Sequence, residues 1–142
     1  MLRKTFLLMV LVTGACWIAL AQEDTLKDSM KRGEEVYINN CSSCHMPMGE
    51  GLEGVYPPVA KTDYLKDQKR AIEIILHGQE GEIMVNGVKY DVPMDAFGFL
   101  TDQQVADVLN YISNSWENKN PMIKAPMVKA QRKPENQVQP AQ

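Results

Sequence analysis

The five residues Cys41-Ser42-Ser43-Cys44-His45 constrain this chain more than any other feature. Among its 142 residues, Cys16 is the only other cysteine and His77 the only other histidine. Two closely spaced thiols followed at once by an imidazole can serve as a redox dithiol, half of a zinc site, a disulfide, or the anchor of a covalently bound cofactor. Each use asks for different surroundings, so the rest of the chain decides among them.

The N-terminus sets the compartment. Arg3 and Lys4 precede an apolar run from Phe6 to Leu20, and Ala19-Leu20-Ala21 stands ahead of Gln22. That order predicts a signal peptide over residues 1–21, cleaved after Ala21. The run is short for a membrane span, which takes about 20 apolar residues. Two other routes stay open: retention as an anchor, or a lipid on Cys16 behind Thr13-Gly14-Ala15. Membrane association is expected only by those routes. Export predicts an oxidising compartment, a bacterial periplasm, where zinc thiolates and thioredoxin-type dithiols are less natural.

Charge is uneven. From Gln22 to Asn118 there are 8 Lys and Arg against 17 Asp and Glu, whereas from Lys119 onward there are 5 basic residues and 1 acidic. An acidic body argues against nucleic acid as a partner. It suits protein partners with basic docking patches. The last segment carries Pro121, Pro126, Pro134 and Pro140 among many Gln and Lys, with no periodic apolar face. Residues 119–142 are therefore expected to form a flexible or extended tail. That leaves a domain over residues 22–118, with a core too small to be comfortably stable alone. A large buried cofactor would supply the missing apolar surface.

Within the domain, Met30, Gly33, Val36 and Tyr37 predict one face of a first helix, started by Thr25 or Asp28. Gly33 in mid-helix costs about 1 kcal/mol against alanine, so it implies close approach of another backbone. Gln68 to His77 reads as a helix with Ile72, Ile75 and Leu76 inward and Gly78 as its stop. Asn86-Gly87 predicts a hairpin turn between Ile83-Met84-Val85 and Val88-Lys89-Tyr90. Thr101 and Gln104 make a capping box for a last helix whose stripe is Val105, Val108, Leu109, Ile112 and Trp116. The expected class is all-α with one small hairpin.

Cys-x-x-Cys-His is the attachment pattern of c-type haem. Two thiols at this spacing can each add to a vinyl group of one porphyrin, and the next residue then lies under the iron. One covalently attached haem c is thus expected, with thioethers at Cys41 and Cys44 and His45 as the proximal ligand. A ligating histidine usually donates its other ring N–H to a carbonyl, and the Pro57-Pro58 segment offers carbonyls. For the sixth position, Met46 and Met48 are too near His45, Met30 and Met84 read as core filler, and Met122 and Met127 fall in the tail. Met94 lies in an irregular loop beside Ala96, Phe97 and Gly98, and is favoured by the His/Met pairing of such haem proteins. His77 ends a helix, where it more often meets the helix C-terminus.

"GEEVYINNCSSCHMPMGEGLEGVYPPVAKTDYL" and "VNGVKYDVPMDAFGFLTDQQVADVLNYISNSW" together resemble the class I, mono-haem cytochrome c domain of bacteria, from Met30 to Trp116. The resemblance implies an all-α class I cytochrome c fold whose first and last helices cross, with the hairpin inserted before the axial-methionine loop. Gly33 and Tyr37 match the first helix at that crossing, and Leu109 and Tyr111 the last. It implies Cys41, Cys44 and His45 on the haem, Met94 as axial thioether, and Pro57 as the carbonyl accepting from His45. One departure stands out. Relatives commonly read Met-Pro-Ala-Phe, whereas this chain reads Pro93-Met94-Asp95-Ala96-Phe97. The function implied is one-electron transfer between redox proteins, without catalysis. The rival readings are a haem enzyme or small-ligand binder with an open sixth position, and a dedicated subunit of a larger oxidase or dehydrogenase.

Overall fold

Thr25 begins the first helix: its Oγ1 accepts from the Asp28 N–H at 3.2 Å, satisfying one of the free amides of the first turn. A computed structural model describes residues 24–132 and has mostly helical secondary structure. Helix α1 (Leu26–Asn40) runs into a single turn, α2 (Ser42–His45). A 3₁₀ turn (Tyr64–Lys66) leads to α3 (Gln68–His77), capped by Asp67 and stopped at Gly78. Strands β1 (Ile83–Val85) and β2 (Val88–Tyr90) pair antiparallel about Asn86-Gly87. Helix α4 (Asp102–Ser113) opens with the Thr101–Gln104 capping box, and α5 (Ala125–Lys129) closes the described chain.

The fold is organised by the crossing of α1 and α4. A Cβ on Gly33 would stand 2.0 Å from the Asp107 carbonyl oxygen, so only glycine admits this approach. Tyr37, Tyr111 and Trp116 pack beside it, with ring centroids 5.2–5.5 Å apart. The face that α1 buries is Ser29, Gly33 and Tyr37, rather than the expected Met30 and Val36 at full depth. Ser29 can go inside because its hydroxyl donates to Asp107 at 2.6 Å and accepts from Asn110 at 2.8 Å. Asp107 also accepts from Arg32 Nε at 2.7 Å and Gln103 at 2.9 Å, so its buried charge is fully partnered. Ile72, Val105 and Leu109 form the apolar centre below, each buried side chain contributing roughly 1.5–3 kcal/mol.

Two expectations need correction. Met84 is 54% exposed, not core: the period-2 alternation turns Val85 and Tyr90 inward and Met84 and Lys89 outward. The second correction is larger. Residues 119–132 are not a flexible arm but a strap laid on α4. Trp116 and Glu117 take φ of 50° and 71° and turn the chain back. Ile123 and Val128 are then buried, and Ile123 exchanges both backbone hydrogen bonds with the Asn110 side chain, at 2.7 and 2.8 Å. The domain thus runs past 118. Composition misled because the two buried apolar residues follow no helical or strand period. Residues 1–23, with the signal-peptide, anchor and Cys16 readings, lie outside the described residues, as do residues 133–142.

Candidate functional site

The Cys41–His45 side of the site is built locally. Cys41 closes α1, donating its N–H to the Tyr37 carbonyl at 2.9 Å, and the next turn presents Cys44 and His45. Both cysteines are free thiols lining the same cavity as His45. Burial, and less strongly the neighbouring Cys44, pushes the Cys41 thiol up to about 11. Among the described residues no three His, Cys, Asp or Glu side chains cluster as a metal site.

His45 Nδ1 lies 2.9 Å from the Pro57 carbonyl oxygen. A carbonyl can only accept, so Nδ1 carries the proton and Nε2 keeps its lone pair. Burial lowers the His45 pKa, against the pull of that hydrogen bond, and so favours the neutral ring. Among the described residues Nε2 has no hydrogen-bond partner. The loop bringing Pro57 back is tight. Gly51 donates to the His45 carbonyl at 3.0 Å, and Leu52 and Tyr56 exchange two hydrogen bonds of 2.8 Å. Gly51 has φ +65°, and a Cβ there would meet the Tyr56 carbonyl at 2.4 Å. Tyr37 adds a hydroxyl donated to the Met46 carbonyl at 2.6 Å.

The Met94 side is assembled from distant pieces. Met94 lines the cavity from an irregular segment with no helix or strand of its own. Its backbone pairs with Gln79, just past α3, through bonds of 2.9 and 3.0 Å. Phe97 donates to the Ile75 carbonyl at 2.8 Å. Of the other methionines, Met48 and Met84 are exposed, and none of Met30, Met46, Met122 or Met127 lines the cavity. His77 is exposed and does not line it either. The shifted proline, Pro93, sits at the cavity beside Met94, and Asp95 is exposed.

Sequence reasoning left out Gln79 and Ile75, whose backbones pin the Met94 segment, and gave the hairpin no part in the site. Val85 and Tyr90 in fact form part of its lining. The strict alternation of the hairpin was the available signal. Nothing in sequence pairs Gln79 with Met94.

The cavity suits the haem that the pentapeptide predicts by the chemistry of its lining. Its lining is largely apolar, with Leu65, Ile75, Val108 and Leu109 at the core side. Two thiols, an imidazole with a free nitrogen and a thioether all reach it, which is the donor set of a covalently held metalloporphyrin.

Comparison with known proteins agrees. Residues 30–116 match the family model described as Cytochrome c. The chain is 32% identical over 120 residues to cytochrome c-552 of Thermus thermophilus, covering 81% of this chain and 73% of that one. It is 38% identical over 96 residues to the gluconate 2-dehydrogenase cytochrome c subunit of Pantoea cypripedii, covering 64% of this chain and 21% of the relative. It is also 33% identical over 93 residues to the alcohol dehydrogenase (quinone) cytochrome c subunit of Gluconobacter oxydans, covering 63% and 19% respectively.

Proposed function

This chain belongs to the cytochrome c family, as a class I c-type cytochrome with one covalently attached haem c, and we propose that it is an exported one-electron carrier with His45 and Met94 as axial ligands. One observation carries the proposal: Cys41, Cys44, His45 and Met94 line a single apolar cavity, with Pro57 on His45. When bound, the haem supplies an iron that alternates between ferric and ferrous states.

The chain's own residues set how that happens. Cys41 and Cys44 hold the ring covalently. The Pro57 carbonyl keeps the His45 proton on Nδ1 and leaves Nε2 as the donor atom. The Met94 thioether favours the reduced state and raises the potential relative to a second imidazole. The apolar lining would keep water from the bound haem, and His45 and Met94 would hold it with little rearrangement between its two oxidation states. His77 stands outside the cavity, so it offers no acid–base group for a haem enzyme.

The test is the absorption spectrum of matured protein, wild type against Met94→Ala. A near-infrared sulfur-to-iron band in the oxidised wild type, lost in the variant together with a fall in potential, is the expected result. A high-spin wild type without the band would sink the ligand set and bring the enzyme reading forward.

The partners are redox proteins, and the acidic body suits those with basic patches. A second reading, favoured by the names of the two dehydrogenase relatives, is an electron-transfer subunit of such an enzyme. Cell fractionation separates the two. A mature chain beginning at Gln22, free in periplasmic extract, supports the exported carrier, and co-purification with a dehydrogenase supports the subunit.

A further inference from the structure

We infer that Arg132, at the end of the C-terminal strap, is a positioning residue for the Met94 segment. The inference rests on the reading of Met94 as iron ligand.

Residues 94–100 have little structure of their own. Met94 is tied to Gln79 and Phe97 to Ile75, but Asp95, Ala96, Gly98 and Phe99 are exposed. The far end of the segment is held by Leu100, which is buried and donates to the Phe97 carbonyl at 3.0 Å, and by one side chain from the strap. Arg132 Nη1 donates to the Gly98 carbonyl at 2.8 Å, Nη2 to the Leu100 carbonyl at 2.5 Å, and Nε to Asp102 Oδ1 at 2.5 Å. Among the described residues, the Gly98 and Leu100 carbonyls receive no other side-chain hydrogen bond. One guanidinium therefore joins the end of the segment to the first turn of α4. The planar fork of arginine can meet three acceptors at once, whereas the ammonium of lysine is a point charge without that geometry.

The strap holds Arg132 in place. Ile123 and Val128 are buried against α4, and Asn110 grips the Ile123 backbone. The Arg132 side chain is itself only 32% exposed, so its hydrogen bonds are partly shielded from water. Charge-assisted bonds of this kind are about twice as strong as neutral ones.

The consequence is local. An added ligand competes with Met94 only in the fraction of molecules whose segment has opened, so its apparent affinity reports that fraction. Arg132 keeps the fraction small by fixing the carbonyls of Gly98 and Leu100.

The experiment uses ferric holoprotein, full chain, as wild type and Arg132→Gln. Imidazole is titrated in, and amide exchange is followed at Phe97 and Leu100 with Tyr56 as the control. Arg132→Gln is expected to bind imidazole about tenfold more tightly and to exchange Phe97 and Leu100 about tenfold faster, with Tyr56 unchanged. Asp102→Asn removes one of the three acceptors' charge and should shift both readouts in the same direction by less. It decides the matter if Arg132→Gln does not fold.

Unaltered imidazole affinity and exchange, with only a lower Tm, would make the strap a stabiliser and overturn the inference while leaving Met94 as ligand. A wild type without the sulfur-to-iron band would overturn the ligand reading and this inference with it.

Discussion

The cavity has two sides of different origin. The His45 side is short-range: Cys41, Cys44 and His45 sit within one helical turn, and the Pro57 carbonyl is returned by a loop of adjacent residues. The Met94 side is long-range: Gln79, Ile75 and Arg132 come from three places in the chain to hold an irregular segment. The difference matches the chemistry asked of each. Covalent bonds through Cys41 and Cys44 and a histidine with a fixed tautomer would hold the haem strongly and need little help. A neutral thioether is a weaker ligand, so its retention depends on how firmly its loop is packed.

Substitutions can break that comparison at either side. The largest effect is expected from Gly51→Ala. It puts a Cβ 2.4 Å from the Tyr56 carbonyl at a φ of +65°, so it should cost about 3 kcal/mol or more and displace the Pro57 carbonyl from His45. Denaturant unfolding gives the cost, and the histidine ring signals of the holoprotein report the lost hydrogen bond. A stable variant with an unchanged ring would mean that the His45 side does not need its local turn.

Ile123→Ala should cost less, about 2 kcal/mol, the low end for a buried isoleucine, because it lies on a strap at the margin of the core. More informative is where the cost falls. Amide exchange should quicken at Phe97 and Leu100 more than at Gly51 and Tyr56, because the strap carries Arg132 to the Met94 segment and makes no such bond to the loop of Gly51 and Tyr56. Equal quickening on both sides would show that the strap stabilises the whole domain and that the two sides are not separately supported.

Much of the architecture was legible in sequence for reasons that are local. The Thr101–Gln104 capping box, the Asn86-Gly87 turn and the Gly78 stop are satisfied by neighbours a few residues away, so their chemistry names them. Gly33 was legible as a close approach because a mid-helix glycine is costly unless something needs the space. The misreadings have a physical cause too. Ser29 was missing from the expected face of α1, because a serine goes inside only where partners such as Asp107 and Asn110 are supplied by another helix. Residues 119–132 looked unfolded because a strap gains its stability from the surface beneath it, not from its own period. Met84 looked like core because hydrophobicity was weighed without the alternation of the strand.

By itself the sequence determined the cofactor class and the family, because Cys41, Cys44 and His45 carry their geometry in their spacing. It also singled out Met94, by exclusion and resemblance. Only the tertiary structure decided how the Met94 segment is held and that the C-terminal residues take part. Those contacts join residues far apart in the chain, Gln79 with Met94, Ile75 with Phe97 and Arg132 with Gly98, and such pairings exist only once the chain has folded.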